Sequence, residues 1–198
     1  MSEALLGVVI GGVIGLVGSI ITVLIQGLLG NNKERRDKVD LTIEDMIAKA
    51  AEFHLYTLKA HETDGTYQYH RLATKYLKAN PQSESKGDTT AVFHHEQALR
   101  EMAEHNEWIN RLNNSRVELQ RLSFRLRRVL PARADEIATQ VKSLIYFKTV
   151  MDFPKIVSDE KGLKTLYKAI YTKADALQIE LGKKVMEFEK FLLKIKVD

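Results

Sequence analysis

The sequence predicts an all-α protein: a single N-terminal transmembrane helix, then a cytosolic helical bundle that ends in a long C-terminal heptad helix. Three observations predict it. An uncharged run fills residues 4–30, between Glu3 and Lys33. Beyond it apolar residues recur at helical spacing, without the period-two alternation or the turn pairs of hairpins. Near the C-terminus, Tyr167, Ile170, Ala174, Leu177, Leu181, Lys184, Phe188, Phe191 and Ile195 follow steps of three and four, and all but Lys184 are apolar or aromatic.

The first element is "GVVIGGVIGLVGSIITVLIQGLLGNNKERR", residues 7–36. A bilayer core of about 30 Å takes roughly 20 apolar residues in a helix, and this run is longer. Its start, "MSEALL", lacks the basic residues of an export signal, and no small-residue cleavage site follows. Residues 1–32 therefore read as an anchor with its span at 4–29, and 33–198 as the cytosolic domain. Lys33, Arg35, Arg36 and Lys38 follow the run while its N-terminal flank has no basic side chain. Positive charge stays inside, which sets the N-terminus outside and the C-terminal domain in the cytoplasm. The absence of cysteine is compatible with that reducing compartment.

The glycines of the span have a pattern. Gly7, Gly11, Gly15 and Gly18 stack on one side of the helix, continued by Thr22 and Gln26. Lipid gains nothing from such a stripe, whereas a second helix gains close packing and a hydrogen bond for the Gln26 amide. The stripe predicts a homo-oligomer, with a tetramer as the working number.

The soluble elements follow in order. Val39, Ile43, Met46, Ala50 and Phe53 mark one face of a helix continuing from the span, which "TDGT" (63–66) should break. "YQYHRLATKYLKA" makes a short second helix, and "NPQSESKGDTT" (80–90) a polar loop. No Pro or Gly occurs from Ala91 to Leu130, which predicts a long helix ended by Pro131. A fourth helix covers about 132–152, and "DFPKIVSDEKG" separates it from the heptad helix. The heptad seam serves an intramolecular bundle or a contact between subunits.

Charge is local. Residues 111–133 hold Arg111, Arg116, Arg121, Arg125, Arg127, Arg128 and Arg133 against one acid, Glu118, whereas the chain has eleven arginines in all. Arg121, Arg125 and Arg128 share one helix face, Arg116 and Arg127 another, while Leu119, Leu122, Leu126 and Leu130 should be core. Like charges a turn apart repel unless an anion sits among them. The planar guanidinium suits phosphate. A solvated surface, or salt bridges to acids elsewhere such as Glu44, Asp45 or Glu52, is the structural alternative. In "TYQYHRLATKYLK" (66–78), Tyr67, Tyr69 and His70 lie among cations, as base-stacking residues do; packing of the tyrosines into the core is the structural reading.

Catalytic signals are missing. His94 and His95 are adjacent, which is not a metal-ligand spacing on a helix, and His54 and His61 read as surface or half-buried. There is no Gly-rich phosphate loop, nucleophile elbow or HExxH motif. The expectation is a non-enzyme without metal or cofactor.

An oligomerising span, a basic junction, a helical bundle and one arginine face together resemble the small membrane-anchored effectors of bacterial antiviral defence, in particular those of type III CRISPR systems activated by cyclic oligoadenylate. The resemblance implies a cell-membrane protein whose cytosolic domain binds a cyclic oligonucleotide through the arginines and whose clustered spans perturb the membrane. The alternative is a membrane tether or adaptor that binds RNA or an acidic protein partner.

Overall fold

The computed structural model describes residues 3–83, 90–147, 153–154 and 156–197; the side chains of residues 1–29 lie outside the described set. Among the described residues there are four α-helices: α1 (Glu3–Ala79), α2 (Ala91–Val129), α3 (Ala134–Ile145) and α4 (Glu160–Val197). Among the described residues there is no strand. The all-α expectation holds.

The transmembrane part of that expectation is corrected. Among the described residues no helix is long and apolar enough to cross a membrane. From residue 33 onward, charged side chains at 33–38, 40, 44, 45, 49 and 52 leave α1 no uncharged stretch of spanning length. The residues assigned to the span at 4–29, and with them the Gly7, Gly11, Gly15, Gly18, Thr22 and Gln26 stripe, fall among the side chains outside the described set.

The chain divides into two units, residues 1–42 and 43–198. In the first, the described features are local to α1: Lys38 Nζ donates to Glu34 at 2.6 Å, and the Thr42 hydroxyl to the Lys38 carbonyl.

The second unit is an antiparallel bundle. Pairings between α1 and α2 run in opposite order along the two helices: Lys49 with Ser115, Ala60 with His105, Thr66 with Glu101 and His70 with His94. α4 also runs against α1, since Gly182 lies beside His54 and Tyr167 beside Tyr69. α3 turns back from α2 and packs on both α2 and α4. After it, Phe153 and Val157 pack against a buried cluster of Leu72, Leu166 and Ile170.

The core follows helical periodicity. Ile43, Met46, Ala50 and Phe53 of α1 are buried, as are Leu119, Leu122 and Leu126 of α2. On α4 the buried set is Leu163, Leu166, Ile170, Leu177, Leu181, Phe188, Leu192 and Ile195. It shares five positions with the expected seam and serves this bundle. Lys184 sits in the seam half-buried, its ammonium 5.9 Å from the centre of the Phe147 ring. Tyr167 is mostly outside the seam, 46% exposed.

Two boundaries differ from expectation. α1 does not break at residues 63–66. The Thr63 and Thr66 hydroxyls donate back to the Lys59 and Glu62 carbonyls, Thr66 also donates to Glu101 at 2.8 Å, and Gly65 is buried. A turn signal in isolation becomes a tight contact between α1 and α2, where tertiary packing outweighs the roughly 1 kcal/mol cost of one glycine. α3 ends at Ile145, several residues short of the expected 152, and Tyr146 follows with its side chain 70% exposed.

Candidate functional site

The second half of α2 carries the arginines because nothing interrupts the helix before Pro131. At its start the Thr90 hydroxyl caps α2 by accepting from the Phe93 amide at 3.1 Å. At its end Leu130 leaves helical geometry, as a residue before proline is pushed to do. With Leu119, Leu122 and Leu126 turned inward, the opposite face presents Val117, Arg121, Phe124, Arg125 and Arg128 at steps of three and four. All five are exposed, Phe124 at 59% and Val117 at 54%. Arg121 and Arg128 stand about 10 Å apart along the axis.

The seven arginines separate by environment. Arg111 donates to Glu107 and lies 4.8 Å from the centre of the Trp108 ring, so it is held on both sides. Arg121 donates to Glu118 at 2.9 Å, and Arg133 lies 3.6 Å from Glu136. Arg116 and Arg127 share the third face as expected and are half-buried, and the Nε of each is buried without a hydrogen-bond partner among the described residues. Arg116 packs over Phe53 and donates to Asn113, and burial pushes its guanidinium below the ordinary value. Arg128 packs against Phe124, with 5.9 Å from guanidinium carbon to ring centre. Arg125 has no ion pair among the described residues. Arg127 and Arg128 also sit in the last turn of α2, where cations favour the helix dipole by about 0.3–1 kcal/mol.

The exposed face is thus narrower than seven residues. Arg125 and Arg128 remain available around an exposed aromatic ring, with Arg121, exposed but paired to Glu118, beside them. Phe124 was not among the residues expected from sequence; its spacing from Val117 and Arg128 was the signal that could have found it. Ion pairs of this stretch are made on its own helices by Glu107, Glu118 and Glu136.

The expected stacking residues lie in unit 2, at the other end of α2. Tyr67 carries Arg71 over its ring at 6.0 Å, half-buried. His70 faces His94, Nδ1 to Nδ1 at 2.8 Å, so one ring donates and the other accepts. Tyr69 contacts both histidines and Tyr167 edge-on. Burial, with the neighbouring His94, pushes His70 down to about 4, and burial lowers His94 as well. The cluster is a packed aromatic joint. Among the described residues no group of three or more His, Cys, Asp or Glu could hold a metal ion.

No family model, no curated protein and no solved structure matches the chain. No comparison bears on the resemblance to antiviral effectors; only its single-pass anchor is corrected, since among the described residues no helix is long and apolar enough to cross a membrane.

Proposed function

We propose that this protein is a non-enzymatic binding module whose α2 face of Arg121, Arg125 and Arg128 holds the phosphates of an oligonucleotide, a base stacking on Phe124. One observation carries the reading: an exposed phenyl ring among three exposed arginines, directed away from the core. Water solvates an isolated arginine well, but a bare aromatic ring is costly to expose and suits a flat partner. Guanidinium groups at about 4.5–6 Å intervals along the axis can hold successive phosphates of a folded or cyclic strand.

The first ligand to test is the cyclic oligonucleotide that the resemblance implies, beside linear oligoadenylate and generic RNA. Each charge-assisted contact contributes about 1.5–3 kcal/mol. Arg125→Glu and Arg128→Glu should therefore each weaken binding at least about tenfold, since about 1.4 kcal/mol is a factor of ten. Arg111→Glu, at a residue already held by Glu107 and Trp108, should change it little. Equal binding by all three variants would remove the reading. Affinity that grows with RNA length and falls steeply with salt would instead favour the adaptor alternative.

A further inference from the structure

A hollow of about 300 Å³ lies between α1 and α4, lined by Tyr69, Lys164, Tyr167 and Lys168. Its two tyrosine rings meet at 65° with centres 5.3 Å apart, forming a corner. Both walls are braced. Tyr69 is wedged by His70 at 5.1 Å and His94 at 5.8 Å, and the Tyr167 hydroxyl donates to that of Tyr171 at 3.2 Å. A flat ring laid on one tyrosine would meet the edge of the other, which is the arrangement aromatic groups prefer.

The charges around the corner are one-sided. Lys164 and Lys168 stand one helical turn apart on either side of Tyr167. Lys164 holds Glu160 at 2.6 Å, whereas Lys168 has no ion pair among the described residues. One turn along α4, the hydrogen bond with Tyr167 and burial push Tyr171 up to about 12, with smaller contributions from Glu62 and Glu101. A ligand here must put its flat part against the rings and its anionic part toward the lysines. The volume is at the lower limit of small-molecule sites, the size of a single nucleotide rather than a chain of them.

We propose that this corner binds a nucleoside monophosphate, the base against Tyr69 and Tyr167 and the phosphate at Lys168 and Lys164. The site is separate from the arginine face. His94, which touches Tyr69, and Arg121 are 27 positions apart on α2, about 40 Å along its axis, so one mononucleotide cannot reach both.

The test is calorimetric titration of the full chain with adenosine 5′-monophosphate, adenosine and inorganic phosphate. The monophosphate should bind, and each half alone at least about tenfold more weakly. Lys168→Glu, at an exposed position, and Tyr167→Leu, checked for folding by circular dichroism, should each weaken monophosphate binding at least about tenfold. Arg125→Glu should leave it unchanged. The proposal is overturned if the monophosphate gives no binding heat at millimolar concentration, if folded Lys168→Glu protein binds as wild type, or if Arg125→Glu abolishes binding. Because Arg125→Glu separates the two sites, this proposal and that for the arginine face can fail independently.

Discussion

The two ends of α2 use aromatic and basic residues in opposite ways. Near its start, Phe93 and His94 meet Tyr69, His70 and Tyr167 in a packed joint between three helices. Near its end, Phe124, Arg125 and Arg128 point away from the core. The same residue classes serve cohesion at one end and availability at the other, and burial decides which. Substitutions of His70 and His94 in the joint should therefore register as stability, and substitutions on the arginine face as binding.

The largest effect belongs to the apolar layer beside the joint. Leu72, 1% exposed, packs with Leu166 and Ile170. Leu72→Ala removes buried methyl groups and leaves a cavity, and should cost about 2–5 kcal/mol in urea denaturation. A cost below about 1 kcal/mol would mean that α1 and α4 do not share a rigid core there.

The joint should also respond to acid. His70 and His94 have folded-state values below the ordinary histidine value, so the unfolded chain binds more protons in the interval beneath it. Stability then rises with pH across that interval, from about 4 to about 6.5 for His70, and is lost as pH falls through it. The titratable groups facing the pair are the phenol of Tyr69, neutral at these pH values, and the two imidazoles themselves. No carboxylate is paired with either ring among the described residues. The loss from pH 7 to pH 4.5 should be on the order of 1–2 kcal/mol, below the full linkage value because His70 is only half-buried. His70→Phe should flatten the dependence, and a wild-type curve equally steep after that substitution would assign it to other groups.

The long uninterrupted helices were legible in the sequence, since α2 and α4 fall within about three residues of where breaker residues and apolar spacing set them. The continuity of α1 was not. "TDGT" carries the local chemistry of a turn, and only the contact of Thr66 with Glu101, 35 residues away, shows why the helix persists. The His70–His94 pairing was hidden for the same reason, because 24 residues separate them and no spacing rule links α1 to α2. Of the candidate site, the phase of Arg121, Arg125 and Arg128 was readable. The count of available arginines was not, because Glu107 lies just outside the basic stretch and Glu118 pairs locally.

A smaller effect tests how the joint is held from the start of α2. Thr90 is the only described side-chain cap of that helix, satisfying the Phe93 amide. Thr90→Ala should cost about 1 kcal/mol, read as a lower urea midpoint with an unchanged slope. Thr90→Ser should restore most of it. If both variants melt as wild type, the cap bond contributes nothing measurable and the joint holds α2 unaided.

The smallest expected effect is the most useful for the comparison. Arg125 is exposed and has no ion pair among the described residues, so Arg125→Glu should remove little packing. It replaces two like-charge neighbours, Arg121 and Arg128, with two opposite-charge pairs at four and three residues, each worth about 0.2–0.5 kcal/mol. Against this, a carboxylate one turn from the C-terminus of α2 opposes the helix dipole by about 0.3–1 kcal/mol. The two terms nearly cancel, and the net change should stay within about 0.5 kcal/mol in a denaturation series beside wild type. Arg116→Ala gives the contrast: its guanidinium is half-buried over Phe53, so its loss should cost more than about 1 kcal/mol. If Arg125→Glu destabilises as much as Arg116→Ala, Arg125 is a structural residue and the outward face of α2 loses its claim as a ligand surface.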